Sequence, residues 1–320
     1  MTLALGIDGG GTRTRCLILD ERGNVAGFGS AGASKPDAVS VDTGAENIRL
    51  AAEVAARSCG GLAAVDTVFA GMGGIASEDD IAVIAAMIDR IGLRKNIPIG
   101  IDYDVRIALA GGLGGAPGIG LIVGTGSSCY GRNAAGDSWR SGGWGFIFDD
   151  VGSGFYLGLQ GCIAVIRAYD GRAPQTTLTE PLLHAADLRR ITDLMHWAYH
   201  PALNISKIAA LAPLVLQVAE TDPVAYAIVG RGCDELCAMI GAVARKLSFF
   251  GDIPIAAAGS VVENSTLTRK LLMEALQVRV PGAYLAPLIA PPVVGAAFLA
   301  LQQLGVMLSA DHLATLEVDA

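Results

Sequence analysis

The sequence predicts an α/β protein whose opening strand pattern recurs in the second half. Two observations carry this prediction. Through the first 110 residues, segments typical of short strands alternate with segments of helical period, which favours a sheet covered by helices. In addition, a strand, a turn of small residues and a second strand occur twice, near 6–14 and near 119–130. Each turn joins two apolar runs, and because its residues are small it exposes backbone groups that side chains do not cover.

The first half of the chain has the clearest alternation. Short apolar segments bounded by turn residues predict strands at 3–8, 14–20, 24–29, 65–70 and 97–101. Helices are predicted from a cap at Asp42 or Thr43 to the glycine pair at 60–61, from a capping box at 77–80 to about residue 91, and from 104 to 110. The glycine-rich stretch 111–120 is the best candidate for a boundary between domains.

The second half opens on the same pattern and then becomes helical. Residues 119–123 form a strand that enters the GTGSS turn, and two short strands follow around a turn at 133–136. Residues 153–250 are mostly helical, and 253–265 have the pattern of a strand, a glycine turn and a capped helix. A last helix follows Pro292. The apolar stretch 285–301 contains three prolines, which favours a buried strand end and helix over a membrane span.

Composition excludes several classes of function. The chain has 320 residues, a formal net charge of −8 and a pI near 5.0, and it has no basic run that would suit nucleic acid or an anionic membrane. Its N-terminus has no pattern of a signal peptide. The six cysteines are scattered without C-x-x-C pairs, which is typical of reduced thiols. We therefore expect a cytoplasmic protein that acts on a small molecule.

The two small-residue turns predict a phosphate site. The backbone N–H groups of Gly9, Gly10, Gly11 and Thr12, and those of Gly124, Thr125, Gly126 and Ser127, could converge on phosphate oxygens from opposite sides. Asp8 would repel a phosphate unless a divalent cation lies between them, so it is the candidate for orienting Mg²⁺. Glycine-rich turns are also ordinary hairpin connections. The pairing of two such turns, each with threonine after an apolar strand, favours the phosphate site.

Phosphoryl transfer to a hydroxyl also needs a carboxylate that takes the proton of the acceptor. Asp104 is the best candidate, because it follows a predicted strand and precedes the proposed hinge; Asp102 is the rival. Asp149 and Asp150 lie in the aromatic segment GGWGFIFDDVGSG and would suit the hydroxyls of a sugar. Trp144 could stack on the apolar face of that sugar.

Two pairs of residues at helical spacing are weaker candidates. His196 and His200 are four apart and could hold a metal, but packing is the favoured interpretation because no carboxylate lies between them. Cys233 and Cys237 have the same spacing and the pattern of an amphipathic helix face.

With these residues in place, the chain resembles the superfamily of sugar kinases, actin and heat-shock-chaperone ATPases. More narrowly, it is similar to the BadF/BadG/BcrA/BcrD ATPases and, within them, to the N-acetylglucosamine and glucosamine kinases. The matching segments, in family order, are GIDGGGTRT, DVRIALAGG, VGTGSSCYG, GGWGFIFDDVGSG and AAAGSV. They are the first phosphate motif, the segment of the catalytic aspartate, the second phosphate motif, the sugar-side motif and the adenosine turn.

The resemblance implies a role for each matched residue. It places the catalytic role on Asp104 and adds Thr14, Gly259 and Ser260 to the nucleotide contacts. It assigns Gly143, Trp144, Asp150 and Lys35 to the sugar side. Two departures concern this side: Val151 replaces a glutamate that many relatives carry, and Lys35 stands where they carry a sugar-binding asparagine. They leave open which hexosamine is the acceptor.

The resemblance also implies the architecture. We expect two ribonuclease-H-like lobes, 1–112 and 113–320, that flank a nucleotide cleft, with a helical insertion in the second lobe. The last helix could pack back on the first lobe. ATP and Mg²⁺ would bind in the cleft, the lobes would close on the sugar, and the protein would form a homodimer.

The predicted activity is ATP-dependent phosphorylation of N-acetylglucosamine or glucosamine at the 6-hydroxyl. Two alternatives stay open. One is an ATPase that activates a radical dehydratase through an iron–sulfur cluster, for which Cys129 and Cys162 are loosely placed. The other is a non-catalytic sensor of nucleotide or sugar.

Overall fold

Two five-stranded sheets form the framework of the protein in this computed structural model, which describes residues 2–318. The strands of the first sheet are β1 (Leu3–Gly9), β2 (Thr14–Asp20), β3 (Val25–Ala31), β4 (Thr67–Met72) and β5 (Ile99–Tyr103). Those of the second sheet are β6 (Gly118–Val123), β7 (Ser127–Arg132), β8 (Ser138–Gly142), β9 (Ile253–Ala258) and β10 (Ala283–Leu285).

Both sheets have the same topology. The first has the strand order β3-β2-β1-β4-β5 and the second has the order β10-β9-β6-β7-β8, which is the same arrangement in reverse. In each sheet the first three strands form an antiparallel meander, the fourth strand pairs in parallel with the first, and the fifth pairs in parallel with the fourth. The recurrence that the sequence predicts is therefore a duplicated fold unit. Because the parallel strands end on one side of each sheet, the turns that follow β1 and β6 occupy equivalent positions.

Helices cover the sheets and fill the interval between β8 and β9. Over the described residues they are α1 (Val41–Ala56), α2 (Glu78–Asp89), α3 (Asp104–Gly112), α4 (Gly154–Tyr169), α5 (Thr179–Ala185), α6 (Asp193–Ala198), α7 (Ile205–Ala209), α8 (Ala212–Val218), α9 (Pro223–Lys246), α10 (Ser260–Glu263), α11 (Thr266–Arg279), α12 (Pro292–Gln303) and α13 (Ala310–Ala314). A short 3₁₀ turn, Leu62–Ala64, precedes β4. The predicted helical stretch between 153 and 250 is confirmed as α4 to α9.

Local signals predict some boundaries and miss others. The capping box before α2 is confirmed, because Ser77 and Asp80 exchange side-chain and backbone hydrogen bonds. The predicted cap of α1 is wrong: the hydroxyl of Ser40 accepts the hydrogen bond from the backbone N–H of Thr43. The predicted buried strand at 97–101 is also wrong in place and burial. β5 is an edge strand that begins at Ile99 and stays partly exposed along its length.

The apolar segment near the C-terminus is a buried helix, as predicted. α12 packs against β1, β2 and α3, in a core that it shares with Leu17, Phe69 and Ile107. The contact with β1 is so close that a Cβ atom on Gly6 would lie 2.2 Å from the backbone nitrogen of Ala297. A helix that follows the second sheet in the chain thus completes the core of the first. α13 follows α12, so the helix after Pro292 is not the last one.

Among residues 2–318, no single helix is both long and apolar enough to cross a membrane, although the bent pair 205–218 and 223–246 passes on length and composition alone.

Candidate functional site

Two adjoining cavities lie near the small-residue turns, and the larger of them lies between the lobes that the two sheets form. The larger cavity has a volume of about 600 Å³ and is lined by residues of both lobes. The smaller cavity, of about 550 Å³, is bordered mainly by the helical insertion and by α10 and α11. Gly124, Thr125 and Ser206 line both of them, so the cavities adjoin at these residues.

The first glycine turn lies at the point where the cavities meet. Gly10 and Gly11 line the larger cavity, and Thr12 lines the smaller one. Gly9 lines neither cavity and is a packing residue, because a Cβ atom there would lie 2.2 Å from the sulfur of Met72. The carbonyl oxygen of Gly10 accepts hydrogen bonds from the backbone N–H groups of Ser34 and Lys35, at 3.1 and 3.2 Å. The turn is therefore tied to the segment that carries Lys35.

The second turn faces the same space. Gly124 and Thr125 line both cavities, while Gly126 and Ser127 line only the larger one. The carboxylate of Asp150 accepts a hydrogen bond of 2.8 Å from the backbone N–H of Ser127. Asp150 thus braces this turn while it also lines the larger cavity.

Gly259 supports the second turn from the end of β9. A Cβ atom at this position would lie 2.6 Å from the carbonyl oxygen of Val123, and the residue has a φ of +105°. Only glycine allows both the close approach and this backbone conformation. Gly259 itself lines neither cavity, but Ser260, the next residue, lines the smaller one.

Two largely buried carboxylates lie near the first turn: Asp104 lines the larger cavity, whereas Asp8 lines neither cavity. Asp104 is the first residue of α3, its carboxylate accepts a hydrogen bond of 2.7 Å from the N–H of Val105, and burial raises its pKa. Asp8 lies at the end of β1, and burial raises its pKa to about 6. The charge of Asp104 raises this pKa further, and Arg15, 3.6 Å away, lowers it. Carboxylate oxygens are donors that suit Mg²⁺.

The residues that the resemblance assigns to a sugar lie together. Asp104, Gly143, Trp144, Asp150 and Lys35 all line the larger cavity. The ammonium group of Lys35 pairs with Asp37 at 2.9 Å, and its charge acts on both Asp104 and Asp150. Trp144 is 64% exposed, so its ring is accessible from the cleft.

Two predicted contacts lie outside this group. Asp149 accepts a hydrogen bond from the backbone N–H of Trp144 and lines neither cavity. Thr14 is completely buried, and its hydroxyl donates to the carbonyl of Gly32 at 2.7 Å. Its position predicts a role in holding β2 to the segment before α1.

Sequence reasoning missed several residues that line the larger cavity. Gly73 and Gly74 follow β4, and Asp104 lies so near that a Cβ on Gly73 would be 3.2 Å from its carboxylate. The glycine pair after a predicted strand was the available signal. Asn204, which caps α7, and Arg140, on β8, also line the cavity. They had no sequence signal, because only the fold brings their elements to the cleft.

The weaker sequence candidates do not form a site. His196 and His200 are both exposed, and His200 lies beyond the end of α6. Cys233 and Cys237 are buried on α9, as the packing interpretation predicts. Within residues 2–318, no group of three or more His, Cys, Asp or Glu side chains is arranged to hold a metal ion.

Comparison with known proteins identifies relatives over nearly the whole chain. Residues 5–300 match the model of the BadF/BadG/BcrA/BcrD ATPase family. The N-acetyl-D-glucosamine kinase of Dictyostelium discoideum is 30% identical over 310 residues, which cover 93% of this chain and 97% of that protein. The N-acetylmuramic acid/N-acetylglucosamine kinase of Clostridium acetobutylicum is 32% identical over 272 residues, or 82% and 87% of the two chains.

A solved structure extends the comparison to the fold. A candidate N-acetylglucosamine kinase from Chromobacterium violaceum aligns with a TM-score of 0.76 and 25% identity, over 94% of this chain and 99% of that one. Together with the two mixed five-stranded sheets, this similarity confirms the predicted α/β fold of the actin-like ATPase class.

Proposed function

The chain belongs to the BadF/BadG/BcrA/BcrD ATPase family, and on this premise we propose that it transfers the γ-phosphate of ATP to the 6-hydroxyl of an amino sugar. N-acetylglucosamine and glucosamine are the proposed acceptors. The observation that carries the proposal is geometric: both small-residue turns and Asp104 border one cavity of about 600 Å³. A cavity of this size suits a monosaccharide together with a terminal phosphate.

The two cavities divide the substrates between them. The smaller one would hold the nucleoside, because it lies beyond the turns and includes Thr12 and Ser260. The larger one would hold the sugar between Trp144 and the polar groups of Lys35 and Asp150. The γ-phosphate would then lie where the cavities meet, with backbone N–H groups of both turns directed at its oxygens.

Asp104 would accept the proton of the 6-hydroxyl. Burial raises its pKa, which makes the ionised carboxylate a stronger base. Mg²⁺ would neutralise phosphate charge when bound, and Asp8 would hold it, directly or through water. Most of the rate would come from positioning and charge, as in other phosphoryl transfers.

The remaining features are also proposals. We take 1–112 and 113–320 as the two lobes, and we expect a cytoplasmic homodimer. The free state of all six cysteines supports a reducing compartment.

The packing of the cysteines argues against the iron–sulfur alternative. Cys129 and Cys162 belong to the hydrophobic core of the second lobe, and they are 0% and 8% exposed. A cluster shared by two subunits needs thiolates at a surface where the subunits meet. Burial instead raises the pKa of Cys162 to about 11, which disfavours its thiolate.

The test is an assay of ADP release with a panel of amino sugars, applied to wild type, Asp104→Asn and Asp102→Asn. We expect sugar-dependent ADP release in wild type and a fall in kcat by a factor of about 100 or more in Asp104→Asn, because the base is lost. Asp102→Asn is the matched control, since Asp102 pairs with Arg106 and does not line the larger cavity. Normal turnover of Asp104→Asn with saturating sugar would contradict the assignment.

A further inference from the structure

Arg140 connects the two lobes at the larger cavity. It lies on β8 of the second lobe, is half-buried, and lines the cavity. Its guanidinium Nη1 donates a hydrogen bond of 2.6 Å to the carbonyl oxygen of Ile75, in the segment that follows β4 of the first lobe. A single side chain therefore spans the cleft.

Two aromatic rings enclose the same guanidinium. Its central carbon lies 4.5 Å from the ring centroid of Tyr103 and 5.3 Å from that of Trp144. Tyr103 is the last residue of β5 and directly precedes Asp104, whereas Trp144 belongs to the sugar-side loop of the other lobe. Arg140 thus contacts Tyr103, which adjoins the proposed base, and Trp144, the residue proposed to stack on the sugar.

The contacts of Arg140 join the two lobes through one hydrogen bond and two aromatic rings. Among residues 2–318, no carboxylate lies within 4.0 Å of its guanidinium nitrogens, so no ion pair accounts for its position. A planar cation against aromatic faces, with a charge-assisted hydrogen bond, is an arrangement that arginine forms better than lysine.

We propose that Arg140 is a positioning residue that holds the lobes in the closed arrangement and sets Asp104 opposite Trp144 before the acceptor binds. This inference rests on the proposed kinase function. Without Arg140 the lobes open more often, so a smaller fraction of the molecules is closed and able to bind the acceptor. The apparent affinity for the acceptor falls in proportion to that closed fraction. Saturating acceptor restores the closed form. Because the charge of Arg140 also lowers the pKa of Asp104, kcat is compared on the alkaline plateau of the pH–rate profile, where loss of this charge changes the catalytic step little.

The experiment compares Arg140→Met and Arg140→Lys with Lys246→Met. Lys246 is the matched control because it makes a cation–π contact of 4.5 Å with Trp139, the neighbour of Arg140 on the same strand. Two quantities are measured: the kinetic constants for the acceptor, and the radius of gyration of the ligand-free protein in solution. Arg140→Met should raise the acceptor KM about tenfold with kcat within about twofold, and should increase the radius of gyration. Arg140→Lys should recover part of both effects, and Lys246→Met should match wild type.

Several results would overturn the proposal. An unchanged acceptor KM, an unchanged radius of gyration, or a fall in kcat without a rise in KM would each do so. A loss of acceptor affinity that is confined to acceptors with a carboxylate would also do so, because it would make Arg140 a ligand of the acceptor. If Arg140→Met fails to fold, Arg140→Lys decides, since its KM and radius should still exceed those of wild type. Absence of sugar-dependent ADP release in wild type would contradict the proposed function alone, because the radius of gyration still tests whether Arg140 holds the two lobes together.

Discussion

Asp8 shows at the level of one residue how a buried carboxylate opposes stability. Its carboxylate is largely removed from water, and burial raises its pKa from the ordinary 3.8 to about 6. Arg15 offsets only part of this cost, and Asp104 adds to it. A folded state that binds a proton more tightly than the unfolded state loses stability as the pH rises through the interval between the two pKa values. At neutral pH the ionised Asp8 therefore destabilises the ligand-free protein.

Asp8→Asn should consequently stabilise the ligand-free protein at neutral pH. A rise of about 2 pKa units, which already includes the favourable contact with Arg15, corresponds to about 3 kcal/mol in the free energy of unfolding. The gain should be largest above pH 6, and most of it should be lost by pH 4, where Asp8 is protonated in the folded state and close to its ordinary pKa of 3.8 in the unfolded state. Denaturant unfolding in the presence of a chelator, at pH 4 and 7.5, measures it.

The exposed Asp252 provides the control for this measurement. Asp252→Asn should give no comparable gain at either pH. A pH-independent effect of Asp8→Asn would show that the carboxylate is not destabilised by its burial.

Asp150 is predicted to serve the nucleotide as well as the sugar, because it accepts the hydrogen bond from the N–H of Ser127. Loss of a hydrogen bond to a charged group costs about 1.5–3 kcal/mol, so Asp150→Ala should raise the KM for ATP about tenfold or more. Asp150→Asn should do so less, since its amide oxygen can still accept and asparagine tolerates the φ of +61° at this position. An increase confined to the KM for the sugar in both variants would contradict this role.

Local sequence signals predicted an element correctly where the interactions that form it are also local. The capping box at Ser77 is made within four residues, and the turn at Gly9 to Thr12 follows from residues that tolerate a tight bend. The misplaced start of β5 has a different cause. Its pairing with β4 determines where it begins, and its edge position decides its exposure. Neither the start of the strand nor its exposure can be predicted from residues 97–101 alone.

Contact between β1 and α12 gives the sharpest test of the packing. Gly6→Ala would place a methyl group 2.2 Å from backbone, which has no side-chain freedom to relieve the overlap. We expect a loss of about 3 kcal/mol or more in the free energy of unfolding, at the upper end for overpacking. Gly230→Ala on α9 is the matched control, since a Cβ atom there meets no atom within 4 Å.

Gly230→Ala should instead stabilise the protein by about 0.5–1 kcal/mol, because alanine favours the helix. Chemical denaturation of both variants measures the difference. Equal stability of Gly6→Ala and wild type would mean that α12 does not pack on β1 as described.

At the scale of the whole molecule, the site exists only where two similar lobes face each other. Each lobe contributes one small-residue turn, and Asp104 and Trp144 come from opposite lobes. The cleft is bridged by Arg140, and α12 gives the first lobe a part of its core from the C-terminal end of the chain. Binding of either substrate should therefore favour the same closed arrangement.

Positive coupling between the two substrates follows from this shared closure. A saturating amino sugar should tighten binding of a non-hydrolysable ATP analogue with Mg²⁺ by a factor of about 5 or more, which corresponds to about 1 kcal/mol of coupling. Titration calorimetry with and without the sugar measures it. Removal of Mg²⁺ by a chelator should weaken the binding of the analogue in both cases. Identical affinities with and without sugar would contradict closure around both ligands.

The sequence by itself determined the local parts of this protein: the alternating strands and helices, the two small-residue turns and the position of Asp104 after a strand. These depend on propensity, capping and the conformational freedom of glycine, which act between near neighbours. Only the tertiary structure decided that both turns border one cavity, that Asp150 braces the second turn, and that Arg140 spans the cleft. Those relations join residues far apart in the chain, and they arise from strand pairing and from the burial of apolar surface between elements.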